Sequence, residues 1–241
     1  MTVPNIIRIL SVSALLLIGS GSVGSAGTMP SGWQETWRSF GVDPRMAEAI
    51  VWPEYKLYDR FKDLMETTAV YGSSYVSGGL LDMSIGLFQM KPSFVESIEK
   101  AWQGSGMDAP CTLEFDTSGS SASDRERISR MMRQEWQVIY LGMFLRLLYH
   151  SYGSFDTYGN RIRDGIETLP IQEQVQLAAN AYNRGCTWFE AGGGDPDILR
   201  VNIDKETFPR IIVPLAGRRQ YSYAALAWEH FRSLSEEEPP S

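Results

Sequence analysis

Asp43-Pro44-Arg45-Met46-Ala47-Glu48-Ala49-Ile50-Val51-Trp52-Pro53-Glu54 is the stretch whose pattern decides the fold class. Asp43 is a capping residue and Pro44 suits the first helical position, where its missing N–H costs nothing. Met46, Ala47, Ile50 and Val51 then recur at the spacing of one helix face. Pro53 offers no backbone donor and is expected to disturb or end the helix. Glu54 is thereby placed at or near a helix C-terminus.

Outward from this stretch the same period recurs. A second helix is expected through Tyr58, Phe61, Leu64 and Met65, leading to a Gly/Ser-rich loop from Gly72 to Gly79. Ser93 and Glu96 form a capping-box pattern that would open a helix carrying Phe94, Ile98 and Trp102. Gln103 to Ser123, rich in Gly, Ser and Asp, reads as a long surface loop inserted in the domain. Asp124 is expected to cap one long helix through Ile128, Met131, Trp136, Tyr140, Phe144 and Leu147, apolar on more than one face and therefore central to the core. Further helices are expected from Pro170 through Tyr182, stopping at Gly185, and from about Tyr223 to Leu234, followed by a frayed tail. Alternating strand patterns are few, so the class is mainly α.

The chain has 241 residues. Arg8, the apolar run Ile9 to Ile18 and the small residues Gly24 and Ala26 have the order of a signal peptide over residues 1–26. The run falls short of the roughly 20 apolar residues that span a bilayer. Export to the periplasm or the medium is expected, leaving one domain at 27–241, large enough to bury its own core. A net charge of -7 supplies no basic patch, which argues against a nucleic-acid partner. Seven Trp residues make aromatic stacking a more plausible grip on a ligand than charge. Cys111 and Cys186 are too few for a disulfide framework and lack metal-ligand spacing. In an oxidising compartment a single bridge between them is slightly favoured over two buried thiols. Gly192 to Asp197 holds two acids in a Gly-rich turn, too little to define a metal site. No metal or cofactor is expected. His150 and His230 have no companions at ligand or triad spacing, and are read as a helix-end and a surface-helix residue.

Three short segments carry the chemistry. The first ends in Glu54, whose ionised form is disfavoured by apolar neighbours and by the negative end of a helix dipole, as a general acid requires. The second is Ser84-Ile85-Gly86-Leu87-Phe88-Gln89-Met90-Lys91-Pro92, in which Gly86 would let backbone approach a ligand and Gln89 offers an amide suited to hydroxyl and acetamido groups. The third is Ala178-Ala179-Asn180-Ala181-Tyr182-Asn183-Arg184-Gly185, with Tyr182 and Asn183 at the end of a small-residue helix. Each also has an ordinary reading: an exposed charge, a turn before apolar residues, and close helix packing over alanines.

Taken in order, the three resemble the lytic transglycosylases and goose-type lysozymes of the lysozyme-like superfamily. Members carry an apolar helix ending in a catalytic Glu, then Gly-Leu-Met-Gln-Ile-x-Pro-like and Ala-Ala-Tyr-Asn-x-Gly-like segments. Tyr55 stands where the family has Ser after the Glu. The resemblance covers Asp43 to Gly185, and Tyr221 or, equally, Tyr223 would supply the family's late tyrosine. It implies a helical domain with a glycan-binding cleft that binds peptidoglycan strands as a monomer, with a cell-envelope protein as a further partner. Glu54 would be the catalytic acid, and Ser84, Gly86, Gln89, Tyr182, Asn183 and Tyr221 would hold substrate. It implies cleavage between N-acetylmuramic acid and N-acetylglucosamine by a lytic transglycosylase. The alternatives are a hydrolytic muramidase with Asp82 as second carboxylate, and a catalytically silent glycan-binding or scaffold protein. The plainer reading of Asp82, local turn hydrogen bonds, is preferred.

Overall fold

A computed structural model describes residues 29–57, 60–73, 81–111, 113–150, 166–184, 186–189, 198–201, 212–214 and 220–236. The chain is mainly helical, as its periodicity requires. Its elements are α1 (Ser31–Ser39), α2 (Pro44–Leu57), α3 (Arg60–Ser73), α4 (Pro92–Ser105), α5 (Ser121–Met131), α6 (Gln134–His150), a 3-10 turn (Ile166–Thr168), α7 (Ile171–Arg184) and α8 (Tyr223–Glu236). Four short strands, β1 (Cys186–Phe189), β2 (Ile198–Val201), β3 (Ile212–Pro214) and β4 (Gln220–Ser222), pair antiparallel as β1–β2 and β3–β4. The expected leader, the 192–197 turn and residue 185 lie outside the described residues, as does most of the 72–79 loop.

α6 is the central helix, with its middle enclosed from Tyr140 to Leu145. One apolar cluster around it draws on every α-helix, from Trp37 in α1 to Phe231 in α8. Gly142 lets the end of α1 press in, since a β-carbon there would stand 2.7 Å from Phe40 Cδ2. α1 itself was not anticipated from the sequence. Its C-terminus closes with Gly41 N–H donating to Arg38 O (2.9 Å) and Val42 N–H to Trp37 O (3.0 Å), the Schellman pattern, around Gly41 at φ 72°. That closure delivers the chain directly to Asp43, whose carboxylate accepts from Arg45 N–H at 2.9 Å at the start of α2.

Five expectations need correction. The helix expected to start at Asp124 begins at Ser121, where Ser120 accepts from Ser123 N–H, and it is not continuous with the next helix. The break falls at Met132 and Arg133, where the Gln137 amide donates to Met131 O at 2.6 Å and so satisfies a terminal carbonyl. The capping box is absent: α4 starts at Pro92 with Lys91 at the cap position, and Glu96 pairs with Lys100 instead. The loop consequently begins at Gly106, which ends α4 in the left-handed conformation at φ 65°. Pro53 does not end α2, which continues to Leu57. His230 is no isolated surface residue, for its Nε2 lies 3.1 Å from buried Glu48 Oε1 and its ring stacks on Trp52 at 3.8 Å.

A buried ionic cluster joins α4, α5 and α6. Glu99 is fully enclosed and accepts from Arg127 Nε (2.8 Å), Arg130 Nη2 (2.9 Å) and the Tyr140 hydroxyl (2.6 Å). Arg130 Nε in turn donates to Tyr140 Oη at 2.8 Å. Each buried charge thereby meets an opposite charge or a hydrogen-bond donor, the condition under which such groups are tolerated. Cys111 is exposed with a free thiol, so the favoured bridge is not formed at that residue, and the Cys186 side chain lies outside the described residues.

Candidate active site

Glu54 sits half-buried in the last turn of α2, as its sequence context requires. Pro53 withdraws the backbone donor that would meet Ala49 O, yet the helix runs on past it. Tyr223, the first residue of α8, fastens the neighbouring part of α2: its hydroxyl gives a 2.8 Å hydrogen bond to Ile50 O. The phenol is fully buried, and its pKa is driven well above the ordinary value, first by burial and then by the negative charge of Glu54. Glu54 and Tyr223 are therefore electrostatic neighbours. Of the two late tyrosines, Tyr223 is the one whose side chain is described, and the Tyr221 side chain lies outside the described residues.

The second segment forms a closed turn. Ile85 and Met90 pair across it through N–H to carbonyl bonds of 2.8 and 3.1 Å. Gln89 occupies the left-handed region at φ 52°, a conformation costing a side-chain-bearing residue roughly 1–2 kcal/mol. Its backbone N–H and its Nε2 both donate to Gly86 O, at 3.0 and 2.8 Å. Gly86 serves this turn rather than a ligand. At φ 75° it lies so close to Gln137 that a β-carbon would fall 1.6 Å from Nε2, and it does not line the cleft.

The third segment comes from α7. Tyr182 is buried, and its hydroxyl donates to Phe88 O at 2.6 Å, fastening α7 to the turn. Phe94 of α4 meets the Tyr182 ring edge to face at 5.6 Å, and Phe144 of α6 does so at 5.9 Å. The Tyr182 pKa is also raised well above its ordinary value, by burial first and by Glu54 second. Both phenols keep their protons at neutral pH and act as fixed donors under the carboxylate.

Together these elements enclose a cleft of about 480 Å³ lined by Glu54, Asp82, Ser84, Gln89, Tyr182 and Asn183. Six residues singled out from three separate stretches of sequence thus share one concavity. Met90, Lys91, Ser93, Phe94 and Ser97 complete the wall. Sequence reasoning did not assign these five to the site; Met90 and Lys91 lie within the second segment, and the other three follow directly after it. Asp82 accepts from Ser93 N–H at 2.9 Å through Oδ1 and from Ser93 Oγ at 2.8 Å through Oδ2. It therefore caps the start of α4 from eleven residues away, rather than making the local turn bonds expected of it. Among the described residues no group of three or more His, Cys, Asp or Glu side chains could hold a metal ion. The cleft offers the half-buried Glu54 carboxylate and the exposed Asp82 one, a single lysine, two side-chain amides, three serine hydroxyls and two aromatic rings. Two carboxylates against one lysine suit an uncharged polyhydroxylated ligand better than a phosphate.

Compared with known proteins, the chain matches no family model, no curated protein and no solved structure.

Proposed function

We propose that this protein is a peptidoglycan-cleaving lytic transglycosylase that acts on the bond from N-acetylmuramic acid to N-acetylglucosamine. The observation that supports it best is the convergence of Glu54, the Ser84–Gln89 turn and the Tyr182–Asn183 pair on one cleft. In this reading Glu54 donates its proton to the glycosidic oxygen as the C–O bond breaks. The resulting carboxylate then takes the proton of the muramic acid 6-hydroxyl as that oxygen closes on C1, giving a 1,6-anhydro product and restoring Glu54 to its acid form. The internal hydroxyl makes a second carboxylate unnecessary, whereas inverting hydrolysis needs one to activate water. Asp82 has both oxygens engaged by Ser93, which favours the single-carboxylate route. Gln89 and Asn183 would bind hydroxyl and acetamido groups, with Phe94 offering an apolar face to a sugar ring. Residues 1–26 would direct the protein to the periplasm or the medium, where this substrate lies.

The deciding experiment is digestion of purified peptidoglycan by the protein and by Glu54→Gln, with products identified by mass spectrometry. Anhydromuropeptides that disappear in the variant are expected. Reducing-end products would replace this reading by the muramidase one. No product from either protein, with glycan binding retained, would replace it by a silent binding module.

A further inference from the structure

Gln137 stands outside the cleft, in the first turns of α6, and is 1% exposed. Its amide is engaged at both ends. Oε1 accepts from Phe88 N–H at 2.8 Å, and Nε2 donates to Met131 O at 2.6 Å. The orientation is fixed by its partners, since a backbone N–H must meet the oxygen and a carbonyl must meet the nitrogen. The carbonyl of the same Phe88 accepts from Tyr182 Oη at 2.6 Å, and the Phe88 ring packs edge to face on Trp33 at 5.4 Å. Phe88 is thus held at its N–H, its carbonyl and its ring. The next residue is Gln89, in the left-handed conformation that L residues avoid. Such a conformation persists only where the surroundings over-determine it. Gly86 completes the fit, because any side chain there would overlap the Gln137 amide.

We infer that Gln137 is a positioning residue for the cleft: from behind the turn it holds the Phe88 peptide so that Gln89 is presented to the ligand. In its consequence for glycan cleavage the inference rests on the function proposed above, while the holding of the turn does not. Gln137 touches no cleft residue's reactive atom and acts through Phe88 and Gln89. It also ties the α5–α6 break to the cleft wall, so the place where the expected long helix divides is the place from which the turn is gripped.

Two measurements on the full chain test this. The first is amide hydrogen exchange in Gln137→Ala. The Phe88 amide is expected to exchange at least roughly tenfold faster while α8 amides are unchanged, since one hydrogen bond of this kind is worth about that factor. Unchanged protection at Phe88 would overturn the inference whatever the protein's activity. Should the alanine variant fold poorly, Gln137→Leu serves instead: it fills the space but offers no acceptor, so the same loss of Phe88 protection is expected. The second is a double-substitution cycle on kcat and KM for peptidoglycan with Gln137→Ala and Gln89→Ala. Each alone should lower kcat/KM about tenfold, and the pair little further, because they remove one effect. Losses that multiply to about a hundredfold would mean that Gln137 does not act through Gln89. A protein that cleaves no glycan would sink the proposed function, and the exchange result would still decide what Gln137 does.

Discussion

The Tyr182 hydroxyl donates a 2.6 Å hydrogen bond to the Phe88 carbonyl across 94 residues of sequence, and this bond joins two of the three segments that form the cleft. Its removal leaves a buried carbonyl without that donor, in a turn that already contains a left-handed Gln89. Tyr182→Phe keeps the ring and its packing on Phe94 and Phe144. It should cost about 1–2 kcal/mol of stability by denaturant titration. On the proposed reading it should also lower kcat/KM for peptidoglycan by roughly tenfold. A variant as stable and as active as the parent would show that the turn does not depend on α7.

Alkaline stability follows from the same burial. The phenols of Tyr182 and Tyr223 have folded-state pKa values raised well above 10.0, by burial first and by Glu54 second. Above about pH 10 the unfolded chain loses these protons and the folded chain keeps them, so stability is intact below that pH and falls as pH rises through it. Each such phenol steepens the fall by about 1.4 kcal/mol per pH unit. Tyr140 and Tyr149 shift in the same direction, also chiefly through burial, and add to it. Denaturant titrations between about pH 9 and 11 should show this slope, and Tyr223→Phe should reduce it. A flat profile would mean that the hydroxyls are open to water in the native state.

Asp82 provides a test that separates structure from chemistry. It is exposed at the cleft rim, yet both of its oxygens are bonded to Ser93 at the start of α4. Asp82→Asn removes a negative charge at a helix N-terminus and should lower stability by about 0.5–1 kcal/mol. Product masses from peptidoglycan should not change. Loss of all product in a variant that remains folded would identify Asp82 as the second carboxylate of a hydrolase.

The Glu99 cluster makes a prediction of the opposite kind. Glu99 is the shared acceptor for Arg127, Arg130 and Tyr140, and none of these lines the cleft. Glu99→Ala removes the buried partner of both guanidinium groups, which keep Asp124 and Glu126 respectively, and should cost up to about 3 kcal/mol. Folded molecules of the variant should bind cleft ligands as the parent does. A loss below about 1 kcal/mol would mean that water reaches the arginines.

Helices with a one-sided or strongly apolar pattern were legible in the sequence: α2 from Asp43-Pro44, α7 from Pro170, and α6 from its apolar length. Six residues named from the sequence line one cleft, each having been singled out for its side-chain type. What escaped the sequence depended on partners far along the chain. The Tyr223 hydroxyl reaches Ile50 O from α8, and α5 separates from α6 where Gln137 caps Met131. α1 was missed because its one fully buried residue, Trp37, is placed by a bond from its Nε1 to Val138 O on α6. Gly86 looked like a ligand approach since periodicity cannot show that Gln137, 51 positions on by the numbering, fills the space beside it.

Asn180 supplies the sharpest stability prediction. It lies in α7 with no exposed surface, and neither Oδ1 nor Nδ2 has a hydrogen-bond partner among the described residues. Its neighbours Ala178, Ala179 and Ala181 are equally enclosed, so the helix here is packed tightly against its surroundings. An amide buried without partners carries a desolvation penalty of about 1–3 kcal/mol, and an apolar group of the same shape escapes it. Leucine has the same branching at Cγ, so Asn180→Leu should raise stability by about 1 kcal/mol or more. A loss of stability would show that the amide has a partner in solution. Should glycan affinity fall as well, that partner would belong to the cleft, where Asn183 lies one helical turn along.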